Sequence, residues 1–144
     1  MKIAFIQETV NQNIGLMYLS AVLKSKGHQS NLFIQPLKKD LIATVQSYRP
    51  DILGFSVITG AHHWALDTAN RLKKILPEAV IIMGGPPPTY FPEVVSHPAI
   101  NAVARGESET SLPELVSRIE AGKDYTDLPG FWVKQDGRIY RNDF

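Results

Sequence analysis

Cysteine is absent from all 144 residues. This excludes disulfides, thiolate metal sites, cysteine-held iron–sulfur clusters and a cysteine nucleophile within the chain. Charge of one sign is lacking as well: 15 Lys and Arg stand against 14 Asp and Glu, for a net charge of +1. Nucleic-acid binding through a basic surface is therefore not expected. No apolar run reaches the ~18 residues of a membrane span. The N-terminus opens directly as a strand, Lys2 to Ile6, without the apolar core of a signal peptide. A cytoplasmic protein without membrane or nucleic-acid partners is the expectation. Two phosphate-binding signatures are missing too. No G-x-G-x-x-G follows the first strand, and no G-x-x-x-x-G-K-[ST] occurs anywhere.

What remains is an ordinary globular composition, 44% hydrophobic and 20% charged, long enough for one domain with a real core. Short continuous apolar runs alternate with amphipathic stretches. Ile3-Ala4-Phe5-Ile6 reads as a doubly buried parallel strand. Gly15 to Lys26 reads as a helix with Gly27 as its C′ residue. Strands follow at 31–35, 52–57, 79–83 and 102–105. Helices are expected at 37–48 and 61–76, the latter facing inward through Ala65, Leu66, Ala69, Leu72, Ile75 and Leu76. A short helix is expected within 91–97. Ser111-Leu112-Pro113-Glu114 matches a capping box for a last helix to about Ala121. Phe131–Lys134 and Arg138–Arg141 flank Gln135-Asp136-Gly137, a hairpin signal.

Five β-α units imply a doubly wound, flavodoxin-like α/β fold: a five-stranded parallel sheet in order 2-1-3-4-5, with a C-terminal β-hairpin. Right-handed crossovers leave few other topologies. Ligands in such folds sit outside the carboxyl ends of the strands. The lips of that crevice are residues 7–15, 56–61, 84–91 and 105–109.

The richest lip is Gly84-Gly85-Pro86-Pro87-Pro88-Thr89-Tyr90, directly after the fourth strand. Two glycines let a backbone approach something that a Cβ would block. Three prolines stiffen the exit and remove three donors. Such a bare turn reads as the floor of a ligand pocket. Other chemistries fit poorly. A Ser56/His62/Glu107 triad lacks the G-x-S-x-G elbow. His62-His63 diverge on a helix and do not share a metal ion easily. His28 and His97 read as isolated surface residues, while Trp64 reads as a packing residue and Trp132 either as a packing residue or as one that meets a neighbouring domain.

Ser56-Val57-Ile58, Gly84-Gly85 and Gly106-Glu107-Ser108-Glu109, in that order, resemble the cobalamin-binding domain of B12-dependent radical S-adenosylmethionine enzymes. The run Gly84 to Glu93 is similar to that family's G-G-P-H-P-T-x-x-P-E, with Pro87 at the histidine. Leu128-Pro129-Gly130-Phe131 through Asp136-Gly137-Arg138-Ile139 resembles the segment that leads toward the radical domain. The resemblance implies that residues 1–124 hold cobalamin and that 125–144 form a hairpin and linker toward a radical domain. Ser56 would then hydrogen-bond the buried base, walled by Val57 and Ile58. Gly15 and Gly60 would keep the slot open. Gly84, Gly85 and Pro86 would lie against the nucleotide tail, bordered by Gly106 and Glu107. Thr59 and Thr89 would bond polar tail or corrin groups.

The wider B12-binding fold carries D-x-H-x-x-G after strand one, whose histidine ligates cobalt. Here that stretch is Val10-Asn11-Gln12-Asn13-Ile14-Gly15, so Gln12 stands at the histidine and Val10 at the aspartate. The resemblance therefore implies base-off, His-off binding, with Asn11, Gln12 and Asn13 under the corrin ring and no metal ligand from the protein. S-adenosylmethionine and a [4Fe-4S] cluster would be bound outside this chain, which by itself is not expected to be catalytic. Three other readings stay open: a standalone corrinoid carrier, a docking module that keeps the fold without cofactor, and a flavin-binding flavodoxin.

Overall fold

The computed structural model describes residues 1–144. Its chain order is β1 (Lys2–Gln7), α1 (Ile14–Ser25), β2 (Gln29–Ile34), α2 (Leu41–Tyr48), β3 (Ile52–Ser56) and α3 (His62–Ile75). Then follow β4 (Val80–Gly84), α4 (Pro86–Tyr90), β5 (Ala102–Ala104), α5 (Ser111–Glu120), β6 (Phe131–Gln135) and β7 (Arg138–Arg141). One mixed sheet runs β2-β1-β3-β4-β5-β6-β7. Its first five strands are parallel and keep the expected order 2-1-3-4-5. The hairpin does not stand apart from them. β6 pairs antiparallel with β5, Val103 opposite Trp132, and extends the sheet to seven strands.

Alternation along the strands divides the core between the two faces. Ala4, Ile6, Leu53, Phe55, Ile81 and Met83 pack beneath α2, α3 and a 3-10 turn at Pro92–Ser96. Ile3, Phe5, Ile52, Ile82 and Ala104 face α1 and α5 instead, together with Phe131 and Val133 of the hairpin. Phe131 is fully buried, so the hairpin belongs to the core that supports the site.

Several local expectations change, each for a physical reason. α2 begins at Leu41 because Asp40 caps it, accepting from the Ala43 amide at 3.0 Å, while Gln35–Leu37 makes a separate 3-10 turn. The capping box at Ser111 does not form. Ser111 is already helical, the cap position is Thr110 with no side-chain bond, and the Leu112 amide reaches the Ser108 carbonyl at 2.9 Å. On α3, Thr68 is buried and Ile75 turns outward. His28 is buried rather than exposed; its Nδ1 lies 3.3 Å from the Met1 amino group.

The proline run is helical, not a bare turn. Pro86, Pro87 and Pro88 fill the first positions of α4, and the Thr89 amide closes its first bond to the Gly85 carbonyl at 3.1 Å. The first turn of a helix has no intrahelical use for its amides, so the three missing donors leave nothing unpaired.

Candidate functional site

A cavity of about 380 Å³ opens at the carboxyl ends of the parallel strands, between α1 and α5. Its inner wall is apolar: Phe5, Ile82 and Ala104 from the sheet, Leu16 and Leu19 from α1, and Leu112 from α5. Gly54 completes the wall. It is the register partner of Phe5, and a Cβ there would stand 2.9 Å from the Phe5 ring. The glycine lets that ring lie across β3 as a flat aromatic surface.

Of the expected site residues, nine line this cavity: Asn13, Gly15, Ser56, Gly84, Gly85, Pro86, Thr89, Gly106 and Glu107. They come from four loops that the parallel sheet gathers at one end. Ser56 and Gly84 are register partners on adjacent strands. The remaining six do not line it. Val57 is buried on the opposite face, within the core under α3. Ile58, Thr59 and Gly60 form an exposed turn before α3. Asn11 and Gln12 are exposed in the β1–α1 loop, with Asn11 on a smaller recess beside Ser56 and Ile58.

The glycines are of two kinds. Gly85 is required by the fold itself: φ is +110°, and a Cβ would sit 2.3 Å from the Val57 carbonyl oxygen. Gly15 and Gly84 are not required in this way. A Cβ at Gly15 would meet only Asn13 Oδ1 at 3.5 Å, and one at Gly84 the Ala104 Cβ at 3.6 Å, both ordinary contacts. Both flank the cavity, and each keeps its opening wide.

Polar groups hold the rim in place. The Thr89 hydroxyl donates to the Gly85 carbonyl at 2.8 Å and accepts from the Gly106 amide at 3.1 Å. It staples the β4 loop to the β5 loop, so its proton is used within the protein. Asn13 caps α1, its Oδ1 accepting from the Leu16 amide at 3.0 Å, while its Nδ2 donates to Ser56 Oγ at 2.7 Å. Gln7 is buried beneath the β1–α1 loop, and its Nε2 donates to the carbonyls of Thr9 (2.6 Å) and Asn11 (2.8 Å). That amide sets the shape of the loop carrying Gln12.

Sequence reasoning missed the slot behind the rim. A signal was available in Gly54, a glycine inside an otherwise apolar strand, which marks a close approach. Gln7, a polar residue ending a buried strand, was the other. The site holds no nucleophile–base pair. Ser56 faces an amide rather than a base, and His62 and His63 are exposed, their ring centroids 4.1 Å apart and tilted by 41°, and outside the cavity lining. No group of three or more His, Cys, Asp or Glu residues is arranged to hold a metal. The arrangement suits binding of a large molecule that inserts an apolar end.

Comparison with known proteins agrees with that geometry. The model of the B12 binding domain matches residues 8–116. An uncharacterized methyltransferase, PH0819, of Pyrococcus horikoshii is 31% identical over 142 residues, covering 94% of this chain and 30% of its own. The anaerobic magnesium-protoporphyrin IX monomethyl ester cyclase of Rubrivivax gelatinosus is 31% identical over 117 residues, 76% of this chain and 21% of its own. The chain thus spans less than a third of the length of these relatives. Among solved structures, the radical S-adenosylmethionine methyltransferase TsrM of Kitasatospora setae superposes with a TM-score of 0.86 at 16% identity. The match covers 99% of this chain and 30% of TsrM. A second TsrM structure, with cobalamin and a [4Fe-4S] cluster bound, gives 0.84. Cavity, topology and family model converge: this chain belongs to the B12 binding domain family.

Proposed function

We propose that this domain holds cobalamin base-off and His-off, as the cofactor-bearing part of a longer radical S-adenosylmethionine enzyme. The observation that carries the reading is the apolar slot at the carboxyl ends of the strands, with no histidine on its rim. Its volume lies in the ~300–1,000 Å³ range of ligand sites, enough for one end of so large a cofactor. The residues fit that group: an aromatic floor at Phe5, glycines at the opening, and a hydroxyl at Ser56.

In this reading the slot takes the nucleotide tail. Phe5, Leu16, Leu19, Ile82 and Leu112 would exclude water from its flat base. Gly84, Gly85 and Gly106 would give it backbone to lie against, and Thr89 would keep those loops together. The β1–α1 loop, shaped by Gln7, would place Gln12 where relatives of the wider fold carry a ligating histidine. A glutamine side chain offers no imidazole nitrogen. When bound, cobalamin supplies a cobalt centre able to accept and deliver a methyl group or an electron.

The relatives' names support a methyltransferase or a cyclase as the parent activity. Its S-adenosylmethionine and iron–sulfur cluster would be held by a radical domain of the same polypeptide, since this chain has no cysteine. No helix is long and apolar enough to cross a membrane, and a cytoplasmic setting without nucleic-acid partners completes the proposal. The test is titration with hydroxocobalamin followed by gel filtration and visible spectroscopy. Retention of one cobalamin per chain is expected. A folded protein that retains none would overturn the reading and favour a docking module.

A further inference from the structure

We propose that Arg105 is a positioning residue that clasps Phe144 onto the Gly106 loop, so that the segment after β7 shapes the cofactor site. This rests on the cobalamin reading and goes on to how far along the chain the site extends.

The resemblance treats residues 125–144 as a hairpin and linker. The hydrogen bonds past β7 are not those of a linker. Asn142 Nδ2 donates to the carbonyls of Thr126 and Phe131, both at 2.9 Å. The Gly130 amide donates to the Asp143 carbonyl at 2.7 Å, and the Arg105 amide donates to the Gly130 carbonyl at 2.8 Å. These bonds lay residues 142–143 against the turn before β6, and that turn against the carboxyl end of β5. Phe144 thereby arrives at the rim. Gly106 marks the place: a Cβ there would stand 3.1 Å from Phe144 Cε1.

Arg105 supplies the grip. Its guanidinium carbon lies 4.5 Å from the Phe144 ring centroid and 5.5 Å from that of Trp132. Trp132 is the fixed partner, half-buried and packed against the core under α3. Arg105 has no competing polar role. None of the chain's four ion pairs includes it, and its buried Nε has no hydrogen-bond partner. A guanidinium over an aromatic face is attracted by the ring quadrupole, and here two rings share one cation. Phe144 itself is 74% exposed, so apolar burial does not account for its placement. The cation does.

The loop that Phe144 touches is the one that borders the slot: Gly106, Glu107, Ser108 and Glu109 all line the cavity. Arg105 and Phe144 are outside that lining, so they act through the loop and not by touching the guest. Gly106 has φ of +68°, the left-handed region that glycine enters freely. The Thr89 hydroxyl holds its amide at 3.1 Å, and Phe144 bears on the side where a side chain would project. Without the ring, the Thr89 bond alone fixes the joint.

The test is hydroxocobalamin titration of the purified full chain, with amide exchange of Gly106 read by NMR before any ligand is added. Phe144→Ala and Arg105→Met should each keep the wild-type Tm, as surface substitutions do. Each should weaken hydroxocobalamin binding about fivefold, the worth of one partly exposed cation–π contact. Each should also speed exchange at Gly106. Phe144→Tyr, which keeps the ring, should bind as wild type. The double variant should bind no more weakly than either single, because the two residues act as one unit. Wild-type affinity in Phe144→Ala would overturn the inference. So would a Phe144→Tyr protein as weak as Phe144→Ala, or losses that multiply in the double variant. Failure of the wild type to bind hydroxocobalamin would instead overturn the cobalamin reading, while exchange at Gly106 would still decide whether the clasp holds the loop.

Discussion

Replacing Gly15 with leucine should make the protein slightly more stable while blocking its site. Gly15 is the second residue of α1, and its backbone does not use the freedom of glycine. A Cβ there meets nothing closer than 3.5 Å. Removing a helical glycine recovers about 0.5–1 kcal/mol, which for a domain of this size raises Tm by roughly 2–3 °C. The Cα–Cβ bond of a helical residue tilts toward the helix N-terminus; here a Cβ would lie beside Asn13 Oδ1, and Asn13 and Gly15 both line the cavity. A leucine side chain would occupy the opening through which the tail enters. Cobalamin affinity should fall by tenfold or more, a loss of at least ~1.4 kcal/mol. Thermal unfolding by circular dichroism and a hydroxocobalamin titration measure the two effects on one sample. Wild-type affinity in Gly15→Leu would refute the assignment of this cavity as the cobalamin slot.

Gly85→Ala should behave in the opposite way and damage the fold. Its Cβ would meet the Val57 carbonyl oxygen at 2.3 Å, and φ of +110° is strained for any side chain; a loss of about 3 kcal/mol or more is expected in urea unfolding. A Gly85→Ala protein as stable as wild type would refute this. Thr89→Val removes the hydroxyl that joins Gly85 to Gly106, and should cost about 1–2 kcal/mol together with weaker cobalamin binding. Unchanged stability and affinity would show that the staple is idle. The Asp124 carboxyl is held below its ordinary value of 3.8, first by the Thr126 amide and then by the Thr126 hydroxyl. A depressed folded value means that its stabilisation is full above the ordinary value and is lost as pH falls through the folded one. Asp124→Asn should therefore flatten the acid limb of a Tm–pH profile below about pH 4, and an unaltered limb would contradict the assignment.

The order of the five parallel strands was legible because each is a short apolar run between helical patterns, and right-handed crossovers leave few topologies. Boundaries were less legible where two signals compete. Asp40 captured the start of α2 although the apolar pattern reaches back to Leu37. At α5 the Leu112–Ser108 backbone bond began the helix before the Ser111 box could form. The prolines after Gly85 looked like a turn because proline is read as a breaker, yet at the first positions of α4 proline is accommodated. The hairpin was visible as a hairpin. Its place in the sheet was not, because that depends on Val103 meeting Trp132 and on Phe131 entering the core.

For the site, the rim was readable and the interior was not. Ser56, Gly84 and Gly106 stand beside strand ends that the topology gathers together. The slot wall combines Phe5, Leu16, Ile82 and Leu112, ordinary core types whose cavity arises only from how α1 and α5 straddle the sheet. Motif adjacency also misled in one place. Val57 follows Ser56, but strand alternation sends its side chain to the opposite core. Gly84 and Gly85 look equivalent in sequence, whereas the fold demands only Gly85.

In the proposed function this domain holds cobalamin with neither the nucleotide base nor a histidine on cobalt. Electron paramagnetic resonance of the chain loaded with cobalamin and reduced to the Co(II) state tests it most directly. A base-off spectrum without nitrogen superhyperfine splitting is expected, unchanged when His62 and His63 are both replaced by alanine. Splitting by an axial nitrogen would contradict it, as would a folded protein whose added cobalamin gives only the spectrum of the free cofactor.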